Sequence, residues 1–287
     1  MLLILVPPAD CVAQSPHYHN PQLLLETQEL AAQLSDPQLR LVDARLPDQY
    51  SQSHLPGAVN LPAPTTDDLE ANRRGFPLPL ERAQQLFRAA GIRADSRVVI
   101  YDDQGHRFAA RVFYLLEFFG HSRLQVLNGG FGKWLAERRP TTSEASQVAP
   151  GDFTPAPQAS LIATSEWVNA HLNDPGVILV DTRSPAEFRG EKVIGPRGGR
   201  IPGAISIEWT RTLSPGEIKT FLEPNPLARL FQDAQVTPDR EVVSYCQVGI
   251  RAAEIYFTLR LLGYPRVRIY DGSWEDWSLS STLPVEK

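Results

Sequence analysis

The chain has few cysteines, few lysines and no long apolar run. Its two cysteines, Cys11 and Cys246, stand 235 positions apart, which excludes a disulfide-stapled scaffold and a cysteine zinc knuckle. Six scattered histidines make no ligand cluster, so no metal site is expected. The longest apolar run, Met1–Val6, ends at Pro7-Pro8 and has no positive residues before it. It is too short for a bilayer span or an ordinary secretion signal. Residues 1–20 therefore read as a poorly ordered leader on a cytoplasmic protein with free thiols. Positive charge is scarce as well: 28 Lys+Arg against 33 Asp+Glu give a net −5, which argues against nucleic acid or an anionic membrane as partner. Only four of those 28 basic residues are lysines, so arginine, with its planar fork of donors, is the side chain available for holding anions.

What is present is a duplication. A length of 287 residues suggests two domains at roughly 150 residues each. Leu41-Val42-Asp43-Ala44-Arg45 recurs as Leu179-Val180-Asp181-Thr182-Arg183, and Leu55-Pro56-Gly57-Ala58-Val59 as Ile201-Pro202-Gly203-Ala204-Ile205. Val98-Val99-Ile100-Tyr101 recurs as Val242-Val243-Ser244-Tyr245, Phe119-Gly120 as Leu262-Gly263, and Asn128-Gly129 with Trp134 as Asp271-Gly272 with Trp277. The order is kept and the offsets stay between 138 and 146 positions, the mark of one frame used twice. Residues 141–160, rich in Pro, Ser, Thr and Ala, read as an extended linker over the surface. They separate a domain at 21–140 from one at 161–287.

Each copy alternates short β-branched runs with longer amphipathic stretches. In the second copy Val177–Val180, the Ala204–Ile207 region, Glu241–Tyr245 and Arg266–Tyr270 read as strands. Ser165–Leu172, with Ser165 as N-cap, Leu227–Ala234 and Ala252–Leu262, stopped by Gly263, read as helices. Such alternation implies an α/β fold in each domain, a mainly parallel sheet covered by helices on both faces. Ligands of such sheets sit beyond the carboxyl ends of the strands.

One of those ends carries chemistry. Strand Val242–Tyr245 runs into Cys246-Gln247-Val248-Gly249-Ile250-Arg251, with a helix behind. A thiol at this turn faces the helix's unsatisfied N–H groups and positive dipole end, which favour the nucleophilic thiolate. Gly249 allows positive φ, so that the amides of Gln247, Val248, Gly249, Ile250 and Arg251 can turn inward as an anion nest, and Arg251 adds charged donors. The sulfur is then expected at a solvent-accessible mouth. The alternative for a lone thiol is a buried core cysteine. At the matching position the first copy has Asp102, followed by Asp103-Gln104-Gly105. The turn glycine is kept and the nucleophile is not, so the first domain is expected to be catalytically silent, with Asp102 on a solvated acidic turn.

The paired LVDAR and LPGA/IPGA blocks, the strand–Cys–x4–Arg–helix loop, Arg183–Lys192, Gly198–Trp209 and Tyr270-Asp271-Gly272-Ser273-Trp274 together resemble the tandem rhodaneses, thiosulfate:cyanide sulfurtransferases, especially bacterial ones. The resemblance covers about residues 22–287. It implies two rhodanese-like domains and a cofactor-free ping-pong cycle in which Cys246 attacks the sulfane sulfur of thiosulfate, sulfite leaves, and a persulfide passes sulfur to cyanide or a thiol. It further implies that Arg183 reaches the pocket to hold the anionic donor, with Arg189 as a second substrate arginine of the mercaptopyruvate branch. For either arginine the alternative is a surface salt bridge. Asp181 is expected to orient loops, and Trp209 and Trp274 to line the pocket mouth or, more commonly for aromatics, the core. Val248 stands where the mercaptopyruvate branch has a serine, which tilts the donor toward thiosulfate. The expected partners are an anionic sulfur donor and a thiophilic acceptor, acting on a monomer. Four residues between Cys and Arg, one fewer than in cysteine phosphatases, suit one sulfur atom better than phosphate. A non-catalytic rhodanese-like binding module is the remaining alternative.

Overall fold

The computed structural model describes residues 17–68 and 73–287. Cys11 and the first sixteen residues of the expected leader lie outside them. The end of that leader is tied down rather than loose. Tyr18 donates its hydroxyl to the Leu222 carbonyl at 2.5 Å, and the backbone and side-chain nitrogens of Asn20 reach the carbonyls of Leu261 and Arg260.

Among the described residues the two halves repeat one topology. The first contains β1 (Leu24–Leu25), α1 (Thr27–Ala31), β2 (Leu39–Asp43), α2 (Pro47–Gln52), β3 (Val59–Asn60), a hairpin of β4 (Asp67–Asp68) and β5 (Arg73–Pro77), α3 (Leu80–Ala89), β6 (Arg97–Tyr101), α4 (Arg107–Phe118), β7 (Leu124–Leu127) and α5 (Gly130–Ala136). The second contains β8 (Ile162–Ala163), α6 (Ser165–Ala170), β9 (Val177–Asp181), α7 (Pro185–Phe188), β10 (Ile205–Ser206), α8 (Pro224–Asp233), β11 (Glu241–Tyr245), α9 (Ile250–Leu261), β12 (Val267–Tyr270) and α10 (Ser273–Leu279). The sheets are parallel, in the orders β1-β7-β6-β2-β3 and β8-β12-β11-β9-β10. These are the same order under the duplication. Alternate strand residues serve opposite faces: Val98 and Ile100 join one apolar cluster, Val99 and Tyr101 another. Both faces are therefore buried and the strands read as continuous apolar runs.

Local chemistry sets the boundaries. The cap of α6 is Thr164, whose hydroxyl accepts the Trp167 N–H at 3.2 Å, so the expected cap Ser165 is the first helical residue. Ser184 and Glu187 form a capping box on α7, each oxygen satisfying an otherwise orphaned amide. Gly263 follows α9 with φ 85°, the left-handed stop that glycine takes without a Cβ clash. The connector at 141–160 does more than cross the surface. Gly151, Phe153 and Ala156 donate their amides to Arg88, Ile92 and Phe119, and the Phe153 ring is buried.

The halves meet through α4 and α9, helices apolar around most of their circumference and hence buried on all sides. Phe113 packs edge-on to Phe257 at 4.9 Å, and Tyr114 to Tyr256 at 5.0 Å. Each such ring stabilises by roughly 1.5–3 kcal/mol through burial, and one apolar cluster runs through both domains. Each domain also reaches over the other's strand-to-helix turn. The β4–β5 hairpin brings Gly75 against Val248 and Asp271. In return, the segment bridged at Leu213 and Phe221 sets Leu213 and Trp209 against Gly105 and stacks Phe221 on His106 at 4.5 Å.

Candidate active site

β9 and β11 end side by side, with Asp181 paired in register to Tyr245, so Cys246 leaves the sheet at its carboxyl edge. Gly249, φ 81°, caps α9. Tyr245 and Gly249 thus bracket a turn too tight for a Cβ at the cap. Behind it stands Ser273, whose buried hydroxyl accepts the amides of Cys246 and Gly249, both at 3.1 Å, and donates to the Tyr270 carbonyl at 2.9 Å. The Gly249 N–H therefore points back into the protein, which corrects the expectation that the amides from Gln247 to Arg251 all face the donor. Ser273 holds φ 54°, and its counterpart in the first domain is Gly130 at φ 51°. A non-glycine residue there costs about 1 kcal/mol, a strain accepted where the hydroxyl fixes the thiol loop. A serine standing where the other copy has glycine is the signal by which sequence alone could have found it.

Arg251, on the first turn of α9, forms a bidentate pair with Glu187, both N···O distances being 2.9 Å. Burial lowers its pKa, but the bonds to Glu187 and the charge interaction with Cys246 outweigh that and raise it, so it stays charged. Burial pushes the Glu187 carboxyl up, but the bonds from Arg251 and Ser184 outweigh it and hold the group at about 2. The thiol has 1% of its surface exposed and does not lie at an open mouth as expected. Of the other loop residues, Gln247 is buried and accepts the Glu275 amide, Val248 lies under Gly75, and Ile250 opens the helix.

The remaining arginines stand elsewhere. Arg183 is 2% exposed, with its fork on Asp181 (2.6 to 3.1 Å) and the Gly199 carbonyl (2.7 Å) and its plane over Trp274. Arg45 makes the same bonds to Asp43 and to the Ser53 carbonyl in the first domain. An arrangement identical in the copy without a thiol is a scaffold tie, and these donors are spent on it. The expectation of Arg183 in the pocket is corrected, and so is the surface salt bridge, since the pair is buried. Arg189 is an exposed residue paired with Glu191 at 2.6 and 2.9 Å, not a group turned inward. Trp274 is core, its indole N–H on the Arg197 carbonyl, while half-buried Trp209 covers the first domain's turn.

That first turn differs from its expected form. One more residue separates β6 from the helix cap than separates β11 from Gly249, and the left-handed cap is His106, φ 69°, not Gly105. Asp102 is 1% exposed and not solvated. Its carboxylate accepts the amides of Gln104, His106, Phe108 and Ala109 at 2.7 to 3.0 Å, while burial pushes its pKa up. The turn's own side chain supplies the anion. A cavity of about 310 Å³ beside it is lined by Asp103, His106, Glu217 and Lys219, among others.

The rhodanese-like domain family model matches residues 26–137 and 164–280. The chain belongs to the rhodanese family. Among its relatives in this sulfurtransferase family, the thiosulfate sulfurtransferase of Azotobacter vinelandii is 36% identical over 264 residues, covering 92% of this chain and 97% of that protein. A probable 3-mercaptopyruvate sulfurtransferase of Pseudomonas aeruginosa is 38% identical over 279 residues, covering 91% and 97%. The solved structure of SseA from Escherichia coli, a 3-mercaptopyruvate sulfotransferase, superposes with a TM-score of 0.79 at 27% identity, covering 88% of this rhodanese and 98% of that chain.

Proposed function

We propose that this rhodanese moves the outer sulfur of thiosulfate to a thiophilic acceptor through a persulfide on Cys246. The Cys246 thiolate attacks the sulfane sulfur, the S–S bond of thiosulfate breaks, and sulfite leaves with its electron pair. Cyanide or a thiolate then attacks the outer sulfur of the persulfide and returns the thiolate, so no outside oxidant or reductant is consumed. The observation that carries this reading is the pair of turns. In the first domain the strand-to-helix turn gathers four amides on an anion, the Asp102 carboxylate. In the second domain the residue opening that turn is Cys246, with Arg251 on the first turn of the helix behind it. Oriented donors of this kind stabilise a charge that develops on sulfur during transfer. Because the thiol is 1% exposed, donor entry requires the groups around it to move aside.

A second reading, 3-mercaptopyruvate as donor, is favoured by the 38%-identical relative and opposed by Val248. Intact-mass measurement after treatment with each donor, followed by acceptor, tests both. A gain of about 32 Da, one sulfur atom, that is lost on adding cyanide and absent in Cys246→Ser supports the persulfide. No gain from either donor overturns it. A faster gain from 3-mercaptopyruvate replaces the first donor with the second.

A further inference from the structure

The domain without the thiol places a buried arginine against the thiol loop. Arg111, on α4, is 0% exposed and its guanidinium gathers three acceptors. Nη1 donates to Asp271 Oδ1 at 2.6 Å, across the domain boundary, and Nη2 donates to Asp67 Oδ1 at 3.2 Å and the Gly75 carbonyl at 2.8 Å. Asp67 and Gly75 belong to the two strands of the β4–β5 hairpin, so one side chain fastens that hairpin to the end of β12. The thiol loop lies directly against the fastening. A Cβ built on Gly249 would stand 3.2 Å from both Arg111 Nη1 and Asp271 Oδ1. A Cβ on Gly75, φ +83°, would stand 2.6 Å from the Asp271 carbonyl and 2.7 Å from that of Val248. The loop is therefore held on one side by the Ser273 hydroxyl and on the other by the hairpin backbone, with no room for a Cβ at Gly75 and a tight fit at Gly249.

The duplication gives an internal comparison. The position on α9 matching Arg111 is Glu254, which faces Thr212 and Thr258 and offers the first domain's turn no charged fork. Among the described residues the three-way arginine latch stands on the side that faces Cys246 and has no counterpart at Glu254.

We infer that Arg111 is a positioning residue for sulfur transfer: by latching the β4–β5 hairpin and Asp271 onto the Val248–Gly249 backbone, the domain that lacks a nucleophile sets the geometry of the loop that carries one. This rests on the reading of Cys246 as sulfur carrier. Lysine at 111 keeps the charge but lacks the planar fork whose two nitrogens reach Asp271 on one side and the hairpin on the other, and alanine at Gly75 pushes the hairpin off the Asp271 and Val248 carbonyls while keeping the Arg111 side chain.

The test compares Arg111→Lys and Gly75→Ala with the unsubstituted protein, well below their melting temperatures. Two rates are read: sulfur transfer, and alkylation of Cys246 by iodoacetamide. Release of the latch should lower kcat by roughly tenfold or more while KM moves less than about threefold. Alkylation of the now less covered thiol should rise several-fold, the opposite direction. A merely structural arginine would lower the melting temperature and leave both rates per folded molecule unchanged, and that result in both variants overturns the inference. If neither variant folds, hydrogen exchange in the unsubstituted chain decides. Amides of Gln247 and Val248 exchanging as slowly as that of Gly249, which Ser273 holds, support the latch, and rates as fast as those of exposed Ser143 and Ala145 overturn it. Alkylation needs only the thiol, so a protein that accepts sulfur from neither donor defeats the proposed function and still allows Arg111 to be judged.

Discussion

At Asp102 four amides meet one carboxylate in a site sealed from water. Removing the acceptor leaves buried donors unpaired, which costs about 1–3 kcal/mol. Asp102→Ala should therefore lower the melting temperature by several degrees while leaving kcat per folded molecule within about twofold, since the group touches no reacting atom. Thermal melts paired with rate assays check this, and a large fall in kcat with an unmoved melt would show that the first turn takes part in the chemistry. At this scale the sequence displayed what is local. Cys246, Gly249 and Arg251 stand in one short stretch, and the structure sets them around one strand-to-helix turn. The sequence concealed what is distant: Arg111 and Asp271 are 160 positions apart. The fates of Arg183 and Asp102 were equally hidden, because a charged residue in a motif reads the same whether its partner is a substrate or the scaffold.

The strands and helices were legible because β-branched runs and helical spacing alternate with so little ambiguity. Glu241–Tyr245 has the expected bounds, and the helices start or end within a few residues of expectation, where caps such as Thr164 decide. Less legible was what a helix meets on its far side. Glu254, on α9, is fully buried. Its Oε1 accepts from Thr212 and Thr258 while Oε2 has no partner, and burial, only partly offset by those hydroxyls, pushes its pKa to about 8. The folded state thus holds a proton that the unfolded chain, titrating near the ordinary glutamate value of 4.5, releases. Folding stability from this group is complete below about pH 4.5 and is lost as pH rises through about 8. Melting temperatures measured from pH 5 to 9 should fall with pH in the parent protein. In Glu254→Gln, which carries no titrating proton, they should fall less. Parallel curves would remove Glu254 as the cause.

The two domains are each other's cover. The single apolar cluster through α4 and α9, the hairpin over the thiol loop and the answering segment over the Asp102 turn are all contacts between halves. The duplication and its linker announced two domains. Nothing in either copy's pattern announced that the nearly all-round apolar helices were apolar because of one another. Among the described residues no helix is long and apolar enough to cross a membrane, and the apolar side chains of α9 find their cover in α4.

That mutual cover has a consequence for a broken chain. Residues 18–20 reach back to the end of α9, and 151–156 cling to the first domain, so a nick in the exposed stretch at 143–147 would sever the polypeptide without parting its pieces. Two fragments synthesised separately should each be insoluble or aggregate when alone, and should recover sulfur transfer when refolded together in equal amounts. Gel filtration of the mixture should give the retention of the intact protein, whereas an active, soluble thiol-bearing fragment on its own would show that the halves are independent lodgers rather than a clasp.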